Sequence, residues 1–277
     1  MNKNNRQKTN IILLNKIKLC IVMPAHNEEQ RIAKTLESYG KLFHNLKKNK
    51  KIKDIEILIV INNTWDRTEE LVKKARKKYK EIRYIIFKEG GKGFAIIEGF
   101  KEACKGDWNL IGFVDADMST SAEEYLHLAI KIENYDGIIA SRYMKGAVVT
   151  PKQSILRIMA SRVFNFLIRS MFLMPYNDTQ CGAKIFRKEA LASILPELGI
   201  TQWSFDIDLL YRLWKKGFKT KEVPTVWADA EKSTLKLGKA STQMFLSILQ
   251  LRIMNSKFRR LISPVKPIVG ILWRKLK

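Results

Sequence analysis

The sequence predicts an α/β fold built on an open, mainly parallel sheet flanked by helices, and three observations carry that prediction. Apolar, strand-like runs alternate with stretches of helical periodicity four times within about the first 115 residues. The runs are nearly continuous rather than alternating, as in strands covered on both faces. A polar, glycine-rich or acidic cluster follows each run, at 24–28, 62–66, 90–93 and 115–119. Open α/β sheets bind their ligands at just such carboxyl ends of strands.

Taken in order, residues 1 to about 15 form a basic, polar arm, and 17–23 is a strand stopped by Pro24. Asn27-Glu28-Glu29-Gln30 has the pattern of a capping box, and Ile32, Leu36, Tyr39, Phe43 and Leu46 recur at steps of four and three, giving a helix with one apolar stripe. The lysine-rich stretch 47–53 is a solvated turn. Residues 55–61 form the second strand, after which Asp66, with Glu69 three residues on, opens a helix facing Leu71, Ala75 and Tyr79 inward. The third strand is 82–87. Gly90-Gly91-Lys92-Gly93 then opens a helix to about Cys104, and 110–114 is the fourth strand, ending in Asp115-Ala116-Asp117 before a helix after Ser121. A fifth strand at 136–142 precedes a helix over 154–174 that is apolar nearly all round, with Arg157, Arg162 and Arg169 as its charged residues. Residues 177–182 form a turn too rich in polar groups for a plain connector. A short strand at 183–186, a helix from 203 to about 217 and an edge strand at 222–227 follow. Beyond them lie a basic loop at 232–239, an apolar helix at 243–253 and a basic amphipathic tail at 264–277.

The Asp115 and Asp117 side chains fall on the same side if the chain stays extended, so both can face one cation or one diphosphate. The plainer alternative is a solvated acidic loop capping the next helix. Lys92 among glycines at a helix start can approach a phosphate closely, or be an ordinary turn lysine. The stretch is neither GxGxxG after the first strand nor a P-loop, which disfavours NAD and ATP hydrolysis. Asp206 and Asp208 suit a first helical turn by dipole alone. His44 and His127 read as surface histidines.

Fifty-one Lys+Arg against 27 Asp+Glu give a net charge of +24 and call for anionic partners. No acidic residue occurs in 137–177 or in 232–277, and the latter holds 11 Lys/Arg among 46 positions. Both stretches are also apolar, which favours an anionic membrane surface over nucleic acid. No run reaches the roughly 18–20 apolar residues of a spanning helix, so a peripheral or monotopic protein on the cytoplasmic face of a membrane is expected. Three widely spaced cysteines without a CxxC pattern suit a reducing cytosol.

Pro24-Ala25-His26-Asn27-Glu28-Glu29, the strand ending at 62–66, Gly91-Lys92-Gly93 and Asp115-Ala116-Asp117 match in order the motifs of inverting family 2 glycosyltransferases with a GT-A fold. Ser141-Arg142, the run 178–186 and the run 203–211 resemble the dolichyl-phosphate glucosyltransferase branch, near the dolichyl-phosphate mannose synthases. The resemblance spans roughly residues 17–255. It implies a GT-A catalytic domain over 16–231, between the arm and a membrane-associating region over 232–277. By position it implies that Pro24, Ala25, Asn27, Glu28, Asn62, Lys92, Gly93 and Asp115 bind the nucleotide. Asp115 and Asp117, with Ser119, would hold Mg2+ or Mn2+ at the diphosphate. Arg142, Arg157 and Ser161 would receive the acceptor phosphate, and Asp178, Gln180 and Asp206 would line the sugar side, with Asp117, Arg142, Asp178, Gln180 and Asp206 as the catalytic set. The implied reaction moves a sugar, most simply from UDP-glucose or UDP-N-acetylglucosamine, to dolichyl or polyprenyl phosphate with inversion. GDP-mannose as donor or a saccharide or glycolipid as acceptor are the alternatives within the fold, and a basic membrane-binding module without catalysis is a distant one.

Two departures stand out. Asn62-Asn63-Thr64-Trp65 replaces the family's Asp-Asp-Gly-Ser, and Asp and Asn offer different donor and acceptor patterns to a base. His26 replaces the family's usual aromatic, a ring that can stack on a base. The N-terminal membrane helix of the eukaryotic glucosyltransferases has no counterpart before the first strand, and the basic C-terminal helices are expected to substitute.

Overall fold

The computed structural model describes residues 14–151, 155–199, 204–228, 248–249, 251–253 and 255. The chain divides into two compact units, Met1–Ser233 and Thr234–Lys277. In the second, 248–249 and 251–253 are helical. The rest of the 243–253 helix, the loop 232–239, the tail 264–277 and most of the N-terminal arm lie outside the described residues. Leu14, at the end of that arm, is buried in the core.

The first unit is a seven-stranded sheet. Its elements in chain order are β1 (Lys18–Ala25), α1 (Ile32–Lys48), β2 (Asp54–Asn62), α2 (Thr68–Lys78), β3 (Ile82–Phe87), α3 (Lys92–Cys104), β4 (Leu110–Val114), α4 (Ala122–Ile130) and β5 (Gly137–Ser141). There follow β6 (Val148–Thr150), α5 (Ile155–Phe172), β7 (Ala183–Arg187), α6 (Lys188–Ile194), α7 (Phe205–Lys215), β8 (Thr220–Pro224) and β9 (Val226–Ala228). The strand order is β3-β2-β1-β4-β7-β5-β8. All pairings are parallel except those of β7, which runs antiparallel to both β4 and β5. The mainly parallel α/β architecture is therefore as expected, and the apolar runs of β1, β4 and β5 are buried along their length because helices cover them.

Helix α3 packs tightly on β1 and β2: a Cβ at Gly99 would lie 2.4 Å from Val22 Cγ1. That close seat fixes where the first turn of α3, with Lys92, meets the strand ends. Helix α4 starts as expected, with Ser121 Oγ accepting the Glu124 N–H.

Three expectations are corrected. The capping box at Asn27 does not form: α1 begins at Ile32 after Arg31, and Asn27, in the left-handed region at φ 52°, spends its side chain on the loop after β2. The edge strand expected at 222–227 is two strands separated by Thr225, whose β8 forms the sheet edge while β9 pairs with the unforeseen β6 in a second, two-stranded sheet. The first strand is not stopped by Pro24: β1 runs through it to Ala25, both residues pairing with β2. The helix expected over 154–174 forms as α5. It buries Asn165, Ile168 and Phe172 and leaves Met159, Val163, Phe166 and Leu167 exposed on another face.

Candidate active site

The carboxyl ends of β1, β2 and β4 and the start of α3 enclose a cavity of about 320 Å3. Pro24, His26, Glu28 and Asn62 line one part of it, and Gly91, Lys92, Asp115, Ala116 and Asp117 another. A larger hollow of about 480 Å3 lies among the exposed Lys73, Arg76, Lys77 and Lys80 beside Tyr84. It holds no carboxylate and sits away from the strand ends, so the smaller cavity is where chemistry is possible.

The loops after β1 and β2 are stitched together. Asn27 Oδ1 accepts the Trp65 N–H at 3.1 Å, Glu28 N donates to Thr68 Oγ1 at 2.7 Å, and Asp66 accepts from the N–H groups of Glu29 and Thr68 at 3.0 and 2.9 Å. Glu28 is gripped by Arg31 through two bonds of 2.8 Å. Burial nonetheless pushes its carboxyl above the usual range, with Asp117 and Asp115 adding to the effect against Arg31. Asn62 is 1% exposed. The amide orientation that satisfies both its ends has Nδ2 donating to the Ala25 carbonyl at 3.2 Å and Oδ1 accepting the Gly91 N–H at 3.1 Å. Ala25 and Gly93 are buried and do not line the cavity.

Lys92 and Asp115 form an ion pair of 2.6 Å at the cavity wall. Burial drives the lysine toward neutrality, but Asp115, then Asp206 and Asp117, outweigh it and hold the ammonium above its ordinary value. Burial raises the Asp115 carboxyl despite that partner. The Asp115 backbone N–H bonds the Gly182 carbonyl at 3.0 Å, and a Cβ at Gly182 would lie 1.9 Å from Asp115 Oδ2, so only glycine fits behind this carboxylate. Asp117 commits Oδ1 to the Ser119 N–H at 2.9 Å. The loop carrying both acids is fastened from behind by buried groups. Thr35 Oγ1 donates to the Ala116 carbonyl at 2.6 Å, and the Tyr39 hydroxyl to the Thr120 carbonyl at 2.9 Å. Ser119 is buried and acts through its backbone, giving its carbonyl to Ala228 N; it does not line the cavity.

Asp178 is fully buried and paired with Arg142. The turn that carries it is held by Glu222, which accepts from the N–H groups of Asn177 and Asp178, and by Asn165, whose Oδ1 accepts from Thr179. Gln180 is half-buried in the same turn. Lys184, on β7, is wholly buried: Nζ donates to the Cys181 carbonyl at 2.7 Å and pairs with Asp206. Burial and the Asp178 charge push the Cys181 thiol up to about 12, so it is inert. Lys184 was not foreseen as part of the site, although a lysine inside the apolar run of β7 was its signal.

The groups expected at an acceptor phosphate are partly engaged. Arg142 is bound to Asp178 through Nε and Nη2, leaving Nη1 uncommitted. Ser161 Oγ meets the Tyr143 hydroxyl, over whose ring Arg162 lies at 4.7 Å. Arg157 stands four residues before Ser161 on α5, and its side chain lies outside the described residues.

A hard divalent cation fits the donors present. Asp117 keeps one oxygen uncommitted beside Asp115, and among the described residues no three His, Cys, Asp or Glu gather to cage an ion alone. Mg2+ characteristically takes one or two carboxylates and completes its shell from substrate phosphates and water.

A mainly parallel sheet with an acidic pair after its fourth strand, faced by a lysine at a glycine-rich helix start, is the arrangement of a GT-A glycosyltransferase. Solved structures agree in fold. A glucosyl-3-phosphoglycerate synthase from Mycobacterium tuberculosis, in complex with Mn2+, UDP and glucosyl-3-phosphoglycerate, superposes with a TM-score of 0.65 at 16% identity, covering 90% of this chain and 84% of that one. A mannosyltransferase from Pyrobaculum calidifontis with GDP-Man and Mn2+ gives 0.58 at 14% identity, covering 87% and 66%. The chain belongs to glycosyl transferase family 2, whose description matches residues 20–195, and it is a glycosyltransferase. A dolichyl-phosphate beta-glucosyltransferase of Dictyostelium discoideum is 31% identical over 252 residues, 86% of this chain and 75% of the relative. The enzyme of the same description from Saccharomyces cerevisiae is 28% identical over 262 residues, 85% and 74%.

Proposed function

We propose that the protein transfers a sugar, glucose or N-acetylglucosamine, from its UDP derivative to dolichyl or another polyprenyl phosphate, with inversion, at the cytoplasmic face of a membrane. The observation that carries this reading is the meeting of Lys92, Asp115 and Asp117 in one cavity at the strand ends. The relatives named as dolichyl-phosphate beta-glucosyltransferases supply the acceptor class and the sugar. The exposed apolar face of α5, in a stretch without acidic residues, supplies a lipid-facing surface.

In this reading Pro24, Ala25, Asn27, Glu28 and Asn62 shape the nucleoside end, Ala25, Asn27 and Asn62 chiefly by bracing the loops. Lys92, at the N-terminal turn of α3, with Gly93 behind it allowing close approach, faces the diphosphate. Its charge offsets the charge that develops as the diphosphate leaves. Mg2+ or Mn2+ held by Asp117 and Asp115 would supply further charge stabilisation on the phosphate oxygens. The attacking group is a phosphate oxygen already ionised near neutral pH, so no strong general base is required. Arg142 presents Nη1 to it while Asp178 balances the guanidinium charge, and Arg157 and Ser161 flank the approach from α5. Gln180 and Asp206, the latter steadied by Lys184, border the sugar. A single displacement from the face opposite the departing diphosphate turns an α-linked donor into a β-linked lipid phosphate sugar.

The test is a transfer assay with labelled UDP-glucose, UDP-N-acetylglucosamine and GDP-mannose, dolichyl phosphate and Mg2+ or Mn2+. Label from a UDP-sugar should enter the lipid phase and be lost with Asp117→Ala. Label reaching only a saccharide acceptor would overturn the lipid assignment.

A further inference from the structure

The geometry points to His26 Nε2 as the acceptor that reads an imide or lactam N–H on the nucleobase, in place of the carboxylate absent from the end of β2. The inference rests on the nucleotide-sugar reading above and adds the group that selects the base.

His26 follows β1 and lines the cavity. Its Nδ1 lies 3.0 Å from the Asn62 carbonyl oxygen. A carbonyl oxygen can only accept, so the hydrogen of the neutral ring sits on Nδ1, and Nε2 carries the lone pair. Trp65 stands edge to face with the imidazole at 5.1 Å and 83°, bracing it from the neighbouring loop. The ring thus has a set tautomer and a held orientation.

The other side-chain acceptors of the cavity are engaged with protein partners or belong to the acidic pair that faces the diphosphate. The Asn62 amide is used at both ends between Ala25 and Gly91. Glu28 is bound twice by Arg31, and Asp115 is paired with Lys92. Asp117 belongs to the anionic pair that faces the diphosphate. Just outside the cavity, Asn27 and Asp66 hold backbone N–H groups. An Asp at position 62 would repel the Ala25 carbonyl instead of donating to it, so Asn62 is a brace that takes this position out of base reading. A neutral Nε2 acceptor matches the N3–H of uracil or the N1–H of guanine. It opposes the N3 lone pair of cytosine.

The experiment measures binding of UDP, N3-methyl-UDP and CDP, each with Mg2+, to the intact protein and to His26→Phe, which keeps a flat ring of similar reach and removes the acceptor. The wild type should bind UDP about tenfold more tightly than N3-methyl-UDP and CDP, as expected for the loss of one hydrogen bond at the base edge. In His26→Phe the three affinities should converge toward the weaker value. Retention of the discrimination by His26→Phe overturns the inference, as does equal weakening of all three nucleotides, which would mark the ring as a stacking surface only. Absence of discrimination in the wild type overturns it without recourse to the variant. Failure of the wild type to bind UDP at all would instead overturn the donor assignment, so the two failures are distinguishable.

Discussion

The Arg142 guanidinium closes on the Asp178 carboxylate through Nε to Oδ2 at 2.8 Å and Nη2 to Oδ1 at 2.9 Å, while the Arg142 backbone N–H bonds Oδ2 at 3.0 Å. The arginine side chain is 15% exposed and the aspartate not at all. Removing one member of a buried pair strands the other, at a cost of about 3–5 kcal/mol. Asp178→Ala should therefore lower stability by that order and free the 177–182 turn. Urea unfolding followed by circular dichroism measures the loss, and a change below about 1 kcal/mol would show that the pair is not needed.

The same pair fixes a pH dependence. Burial pushes the Asp178 carboxyl up, but Arg142 outweighs it and the net shift is downward. An acid whose folded-state value lies below its unfolded one binds fewer protons when folded. Its contribution is thus complete above the ordinary aspartate value and is lost as the pH falls through the depressed value. Glu28 has the opposite sign: its raised value makes the folded state bind more protons, so stability falls as the pH rises through the window above the ordinary glutamate value. Unfolding free energies from about pH 7 to about pH 3 should show Asp178→Asn losing the acid-side slope and Glu28→Gln losing the opposing one.

Gly182 sits directly behind Asp115, and the added Cβ of Gly182→Ala would meet Oδ2 at 1.9 Å. The carboxylate has to move, which breaks its approach to Lys92 or shifts the strand end. Overpacking of this kind costs about 1–3 kcal/mol. The expected result is a folded protein with a modestly lower melting temperature and a UDP-sugar turnover reduced by about two orders of magnitude, because a misplacement near 1 Å at a reacting centre costs that much. Full activity in Gly182→Ala would show that Asp115 does not need this position.

Much of this was legible in the chain. The apolar runs of β1, β2 and β4 follow from burial on both faces, although β1 continues through Pro24 to Ala25 and β3, at the sheet edge, is mostly half-exposed. The clusters after the strands belong together because parallel strands bring their carboxyl ends to one edge. Local patterns failed where a distant partner competed. Asn27 looks like a helix cap, but Trp65 N takes its side chain. Residues 222–227 look like one strand, but the sheet edge and β6 divide the segment into β8 and β9. Lys184 in an apolar strand makes sense only once Asp206 and the Cys181 carbonyl are folded against it. The engagement of Asn62 with Ala25 and Gly91, and of Arg142 with Asp178, depends on side-chain geometry that spacing does not encode.

Helix α5 presents Met159, Val163 and Phe166 at helical spacing, 59%, 58% and 67% exposed, while Asn165 and Ile168 secure its other side. Arg162 and Arg169 border that face in a segment without a single acidic residue, a composition suited to an anionic lipid surface. Among the described residues no helix is long and apolar enough to cross a membrane. Burying one phenylalanine in lipid is worth about 1.5–3 kcal/mol, or roughly tenfold or more in partitioning. Phe166→Asp should therefore reduce sedimentation with phosphatidylserine-containing vesicles at least tenfold, while the exposed position keeps the change in folding stability within about 0.5 kcal/mol. UDP binding should stay unchanged and transfer to membrane-embedded dolichyl phosphate should fall in step with vesicle binding. Vesicle binding unaffected by Phe166→Asp would remove α5 from the membrane-facing surface.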